Sequence, residues 1–180
     1  MERCEIIKAA VDLARKQGWS KTTVRAIAKE IGYSTIKIYS DFGNKDGLFK
    51  AIQKEGFLAL RKTYDEAESA GQNPSERLIS LSLAHYEFAM EHKPVYQLMF
   101  QMGGTNCDSK EEDQQFKSSQ PIRDAIFELC GKVDRTLFFN WWVIAHGFIV
   151  TVAYDHQIPK QEAKEMLSQM VQNFIKAISS

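Results

Sequence analysis

Apolar residues recur at helical spacing through almost the whole chain, and no stretch alternates in the manner of a strand. Ile6, Ile7, Ala10, Val11 and Ala14 mark one face of a helix over residues 3–17, which Gly18 closes as a C-cap. Thr22 and Thr23 offer hydroxyls to cap a second helix over 24–31, and Gly32 stops it. Ser34 caps a third over 35–41. Gly43-Asn44 then breaks the chain before a long helix from Lys45 to Ala70. Beyond the turn Gly71-Gln72-Asn73-Pro74, helices are expected over 74–91 and 93–102. Pro74, Pro94 and Pro159 sit near helix starts, where a fixed φ and a missing N–H do no harm. Residues 103–110 read as the main loop, and Glu111-Glu112-Asp113 either extend it or open the next helix. Helices resume over 121–131, 134–156 and 160–178, so the expectation is an all-α chain of about nine helices.

Charge adds what periodicity cannot. The 180 residues carry no formal net charge, but residues 1–54 hold eleven basic and six acidic side chains and the remainder twelve and seventeen. A basic N-terminal end on a balanced chain suggests a polyanion-binding part. Three separated cysteines, Cys4, Cys107 and Cys130, fit neither a disulfide framework nor zinc, and point to a reducing compartment. The start Met1-Glu2-Arg3-Cys4-Glu5 has no apolar signal core, so the expected location is cytoplasmic. Leu137–Tyr154 is apolar enough to weigh as a membrane span. It is interrupted by Asn140, His146, Gly147 and Thr151, and is read as a buried helix of a protein that avoids the membrane.

The second and third helices, joined by Gly32-Tyr33-Ser34, have the spacing of a helix-turn-helix. Val24, Ile27, Ala28 and Ile31 share one face of the first, and Ile38 and Phe42 can meet them from the second. Thr35, Ile36, Lys37 and Ser40 then face outward. Lys37 suits guanine O6 and N7, while methyl groups of Thr35 or Ile36 suit a thymine methyl. Thr23, Arg25, Ser34, Tyr39 and Lys45 flank that face with hydroxyls and cations of the kind that clamp phosphates. The plain alternative is an ordinary helical surface with a solvated lysine.

These residues resemble a known family. Thr23 with Ile27-Ala28, then Gly32-Tyr33-Ser34, then Ile38-Tyr39-Ser40-Asp41-Phe42, then Lys45-Asp46-Gly47-Leu48 follow in order the T-x-x-x-I-A, G-v-S, l-Y-x-x-F and K-x-x-L blocks of the TetR family of bacterial transcription regulators. The resemblance covers roughly residues 3–54. It implies a DNA-binding domain over 1–54, a ligand-binding and dimerisation domain over 55–180, and a homodimer placing two heads in successive major grooves. Tyr33 departs from the pattern where a small aliphatic residue is usual. Asp41 departs where His or Tyr is common, and an acid near phosphates either weakens binding or points away from them. The stretch Trp141-Trp142-Val143-Ile144-Ala145-His146-Gly147 is similar to a Trp…His-Gly signature in one subgroup of the C-terminal domains.

In the last helix Met166, Leu167, Met170, Val171, Phe174 and Ile178 form an amphipathic stripe, expected to be the dimer seam beside the apolar helix before it; an internal hairpin is the alternative. Tyr86, Met99, Phe100, Trp142 and His146 are the expected lining of an apolar effector pocket, against a reading as plain core packing. No nucleophile elbow, P-loop, dinucleotide fingerprint or H-E-x-x-H occurs, and the four histidines have no metal-ligand spacing, so neither enzyme, metal nor cofactor is expected. The expected function is a DNA-binding regulator, a repressor released from double-stranded operator DNA by a small, largely apolar ligand. The alternative is a helical small-molecule-binding or interaction protein without DNA binding.

Overall fold

A computed structural model describes residues 3–68, 71–102, 112–132, 134–154 and 158–179. Among them are ten α-helices, one 3-10 turn at Trp19–Lys21, and no strand. The helices are α1 Arg3–Gln17, α2 Val24–Glu30, α3 Thr35–Phe42, α4 Lys45–Glu68, α5 Pro74–Glu91, α6 Lys93–Met99, α7 Glu112–Ser118, α8 Gln120–Cys130, α9 Arg135–Tyr154 and α10 Lys160–Ile178. One more helix is present than expected. The acidic run that read equally as loop or helix opens α7 at Glu112, whereas the loop expected over 103–110 lies outside the described residues.

Local chemistry sets the ends of the first helices. Gly18, at φ 79°, closes α1 by donating from its N–H to the Ala14 carbonyl at 2.8 Å. Thr23 caps α2, its hydroxyl accepting from the Ala26 N–H at 3.1 Å. Thr22, expected to share that task, is buried instead and donates to the Gly18 carbonyl at 2.9 Å. Ser34 stands at the N-cap of α3 in extended conformation but makes no side-chain cap bond. Asn44 caps α4 through the Gly47 N–H at 2.8 Å.

The chain divides into two compact units, residues 1–58 with 92–115, and 59–91 with 116–180. That division differs from a boundary after residue 54, because α6 joins the first unit. The Trp19 indole N–H donates to the Pro94 carbonyl at 2.7 Å, and the Gln53 amide donates to the Leu98 carbonyl at 2.8 Å. Both bonds are buried, so they fasten α6 to the 3-10 turn and α4 where water cannot compete. The core of this unit is Ile6, Ala10, Trp19, Ile27, Ala28, Ile38, Leu48, Phe49, Ile52 and Leu98. In the second unit α5 packs against α8, α9 and α10, with Leu78, Leu81, Ile122, Trp141, Leu167 and Val171 inside.

Candidate nucleic-acid interface

The apolar faces of α2 and α3 meet as their spacing requires. Val24, Ile27, Ala28, Ile38 and Phe42 are all buried. This turns the opposite side of α3 outward. Ile36 is 76% exposed, Tyr39, Ser40 and Ser34 are exposed, and Thr35 is half-buried at the first turn. Ile36 lies in the first turn of α3 with its side chain open to solvent, where it suits contact with a thymine methyl. Thr23 and Arg25 are exposed at the start of α2, and half-buried Lys45 lies with its ammonium 4.8 Å from the Phe49 ring centre. All nine residues expected at the interface therefore fall in the first unit, on or beside the helix-turn-helix.

Two features escaped sequence reasoning. Lys37 does not stand free: its ammonium donates to Asp41 Oδ1 at 2.7 Å across one turn. The i, i+4 spacing of a cation and an acid was the available signal. Arg3 lies with its guanidinium 4.3 Å from the Phe42 ring centre and donates to the Asp41 carbonyl. A cation at that end of α3 opposes the negative pole of the helix and caps an otherwise open carbonyl. No local sequence signal places the start of α1 there. Tyr33, the first departure from the family pattern, is exposed between the two helices.

The five expected effector residues are divided between the units. Met99 and Phe100 belong to the first, where Phe100 packs edge-on against Phe57 at 5.7 Å and beside Tyr96 at 4.7 Å. Tyr86, Trp142 and His146 belong to the second. Tyr86 is buried beside Phe148, while Trp142 and His146 stack nearly parallel with ring centres 4.5 Å apart. The stack continues through a residue not anticipated. His85 is edge-on to both Trp141 and Trp142 at 5.7 Å, stacks on Tyr64 at 5.9 Å, and shares a hydrogen bond between Nδ1 and the Tyr64 hydroxyl. Burial pushes His85 down to about 3, reinforced by the neighbouring His146, and lowers His146 as well, so both rings are neutral. Burial also raises the Tyr64 hydroxyl, which stays protonated.

Of the six residues expected at the seam on α10, three are covered within the second unit itself. Leu167, Val171 and Phe174 are buried within their own unit, where α10 packs on α5 and α9, and Ile178 is half-buried. Leu167, Val171 and Phe174 thus belong to the core of that unit. The exposed apolar residues of α10 are Met166 and Met170. Nor is α9 buried as a whole. It is long and apolar enough by composition to cross a membrane, yet only 28% of that apolar stretch is buried. Phe139 and Val143 are 59% and 53% exposed, with exposed Gly147 and Thr151 continuing the same stripe every four residues.

Residues 6–52 match the family model described as bacterial regulatory proteins, tetR family. The HTH-type transcriptional repressor KstR2 of Mycobacterium tuberculosis is 31% identical over 100 residues, 55% of this chain and 49% of that protein. The chain spans about half the length of the curated relatives it matches. A protein of unknown function from Rhodococcus sp. RHA1 shares the fold at TM-score 0.79 and 18% identity, over 99% of this chain and 95% of that one. The TetR family transcriptional regulator PfmR of Thermus thermophilus does so at 0.70 and 18%, over 95% and 97%.

Proposed function

We propose that this chain is a DNA-binding transcription regulator of the TetR family, a homodimeric repressor that a small, largely apolar ligand releases from its operator. The observation that carries the reading is the outward face of α3, with Ile36, Tyr39 and Ser40 exposed on a buried Ile38–Phe42 base within the segment that matches the family model. In this reading Thr23, Arg25, Ser34 and Lys45 around it meet phosphates, and Arg3 joins them. Regulation from the cytoplasm follows from the same reading, and the subgroup resemblance rests on the Trp141–Gly147 stretch alone.

A second copy is the natural cover for the open side of α9. Phe139, Val143 and Gly147 make a stripe on which another helix can lie close, and Met166 and Met170 supply adaptable apolar surface on α10. Trp142 and His146 remain the favoured effector contacts. A neutral imidazole stacked on an indole offers one hydrogen bond within an apolar wall, which suits an uncharged or aromatic ligand.

The test is binding of the full chain to the DNA upstream of its own gene over a range of salt. A regulator gives affinity that falls linearly in log–log form with salt and exceeds that for scrambled DNA by about a thousandfold or more. Equal, weak binding to both duplexes favours the interaction-protein alternative.

A further inference from the structure

The outward side of α3 carries one cation and one anion, Lys37 and Asp41, and they are bonded to each other. The lysine side chain is 41% exposed and the aspartate 14%. Asp41 Oδ2 is buried without a hydrogen-bond partner. The carboxylate is thus tucked against the flank of the helix, and Lys37 supplies its hydrogen bond. The backbone there is pinned too, since Arg3 donates to the Asp41 carbonyl and lies over the adjoining Phe42 ring.

A free lysine on a reading helix is a strongly hydrated point charge that binds any phosphate it can reach. Here the carboxylate 2.7 Å from the ammonium cancels most of its net attraction for a phosphate and itself repels the phosphate's charge. A guanine edge carries no net charge, so it does not meet that repulsion. An ammonium has three N–H groups; one can stay on Asp41 while the others reach O6 and N7.

We propose that Asp41 is a specificity-determining residue, which holds Lys37 to the flank of α3, cancels its attraction to phosphates and reserves its remaining N–H groups for a guanine edge. The proposal rests on the DNA-binding reading and goes beyond it. It also gives the departure from the family pattern at this position a function.

The experiment uses the full chain with two probes, a duplex selected by the wild-type protein from a random library and a scrambled duplex of equal length. Affinity is measured against potassium chloride concentration for the wild type, Lys37→Met and Asp41→Asn. Lys37→Met is expected to leave the salt slope unchanged, because the charge was already neutralised, and to abolish the preference for guanine at one base pair of each half-site. Asp41→Asn removes the charge that neutralises the ammonium. It is expected to bind the scrambled duplex about tenfold more tightly, with a slope steeper by about one ion per subunit, and to lose about tenfold in selectivity. A slope reduced by about one ion in Lys37→Met places Lys37 on a phosphate and overturns the proposal, even if Asp41→Asn fails to fold. Wild-type selectivity retained in a folded Asp41→Asn overturns it equally. If the wild-type protein selects no sequence at all, the DNA-binding reading itself falls and takes this one with it.

Discussion

At the joint between α3 and α4 the backbone of Phe42 passes close to Gly47, and Gly47→Ala probes this approach. A Cβ built on Gly47 would lie 1.9 Å from the Phe42 carbonyl oxygen and 3.0 Å from its carbon. Side-chain carbons do not approach other heavy atoms closer than 3.0 Å, so one backbone segment must move by more than 1 Å. Neither is free to do so. Phe42 is buried under α2, and the Gly47 N–H is held by the Asn44 side chain. Overpacking against well-packed surroundings costs about 1–3 kcal/mol, and the rigid obstacle puts this case at the upper end. The better helix propensity of alanine returns up to about 1 kcal/mol, which leaves a net loss of roughly 2 kcal/mol. Gly32→Ala is the control. Gly32 has φ 69° and nothing within 4 Å of the added carbon, so only backbone strain of about 1 kcal/mol applies. Hydrogen exchange read on the α2 and α3 amides, alongside urea unfolding, should rank the loss as Gly47→Ala above Gly32→Ala above wild type. A Gly47→Ala head that exchanges like the wild type, or less readily than Gly32→Ala, refutes the close joint.

Other outcomes follow from the same structure. Trp19→Phe removes the buried N–H that satisfies the Pro94 carbonyl and should cost about 1–3 kcal/mol by urea unfolding. Phe174→Ala, in the core of the second unit, should cost about 3–5 kcal/mol yet leave the sedimentation coefficient dimeric, whereas Val143→Glu should sediment as a monomer and lose operator binding with its head intact. The reverse pattern would return the seam to the α10 stripe. Because His85 stays neutral down to about 3 when folded and titrates near 6.5 when unfolded, the unfolded chain binds the extra proton between those values. Stability should therefore fall as pH drops from 6.5 towards 3, by up to about 1.4 kcal/mol per pH unit, and His85→Asn should flatten that slope.

The sequence makes some of this legible and hides the rest for identifiable reasons. Helix spacing, with glycines at 18, 32 and 43, locates the first helices and the buried faces of α2 and α3 closely, because each signal there is local. Periodicity in α10 shows that Leu167, Val171 and Phe174 are buried but not by which partner; its own α5 and a second copy leave the same stripe. In α9 apolar residues on every side conceal which side is inside, so Phe139 and Val143 could not be told from Trp141. Thr22 and Thr23 carry the same hydroxyl, and only the fold decides that one is buried beneath Gly18 while the other caps α2. The bonds of His85 and Arg3 join residues far apart in the chain, beyond what local spacing can show.

In the proposed dimer, two copies of this chain present α3 to successive major grooves of one duplex. Hydroxyl-radical footprinting of this chain on DNA it selects from a random library is the decisive measurement. Two related half-sites should be protected on one face of the duplex, with centres about 10–10.5 base pairs or a multiple apart, and both should be lost when α3 carries Ile36→Glu. Uniform protection without half-sites, or an unchanged footprint in Ile36→Glu, would contradict that arrangement.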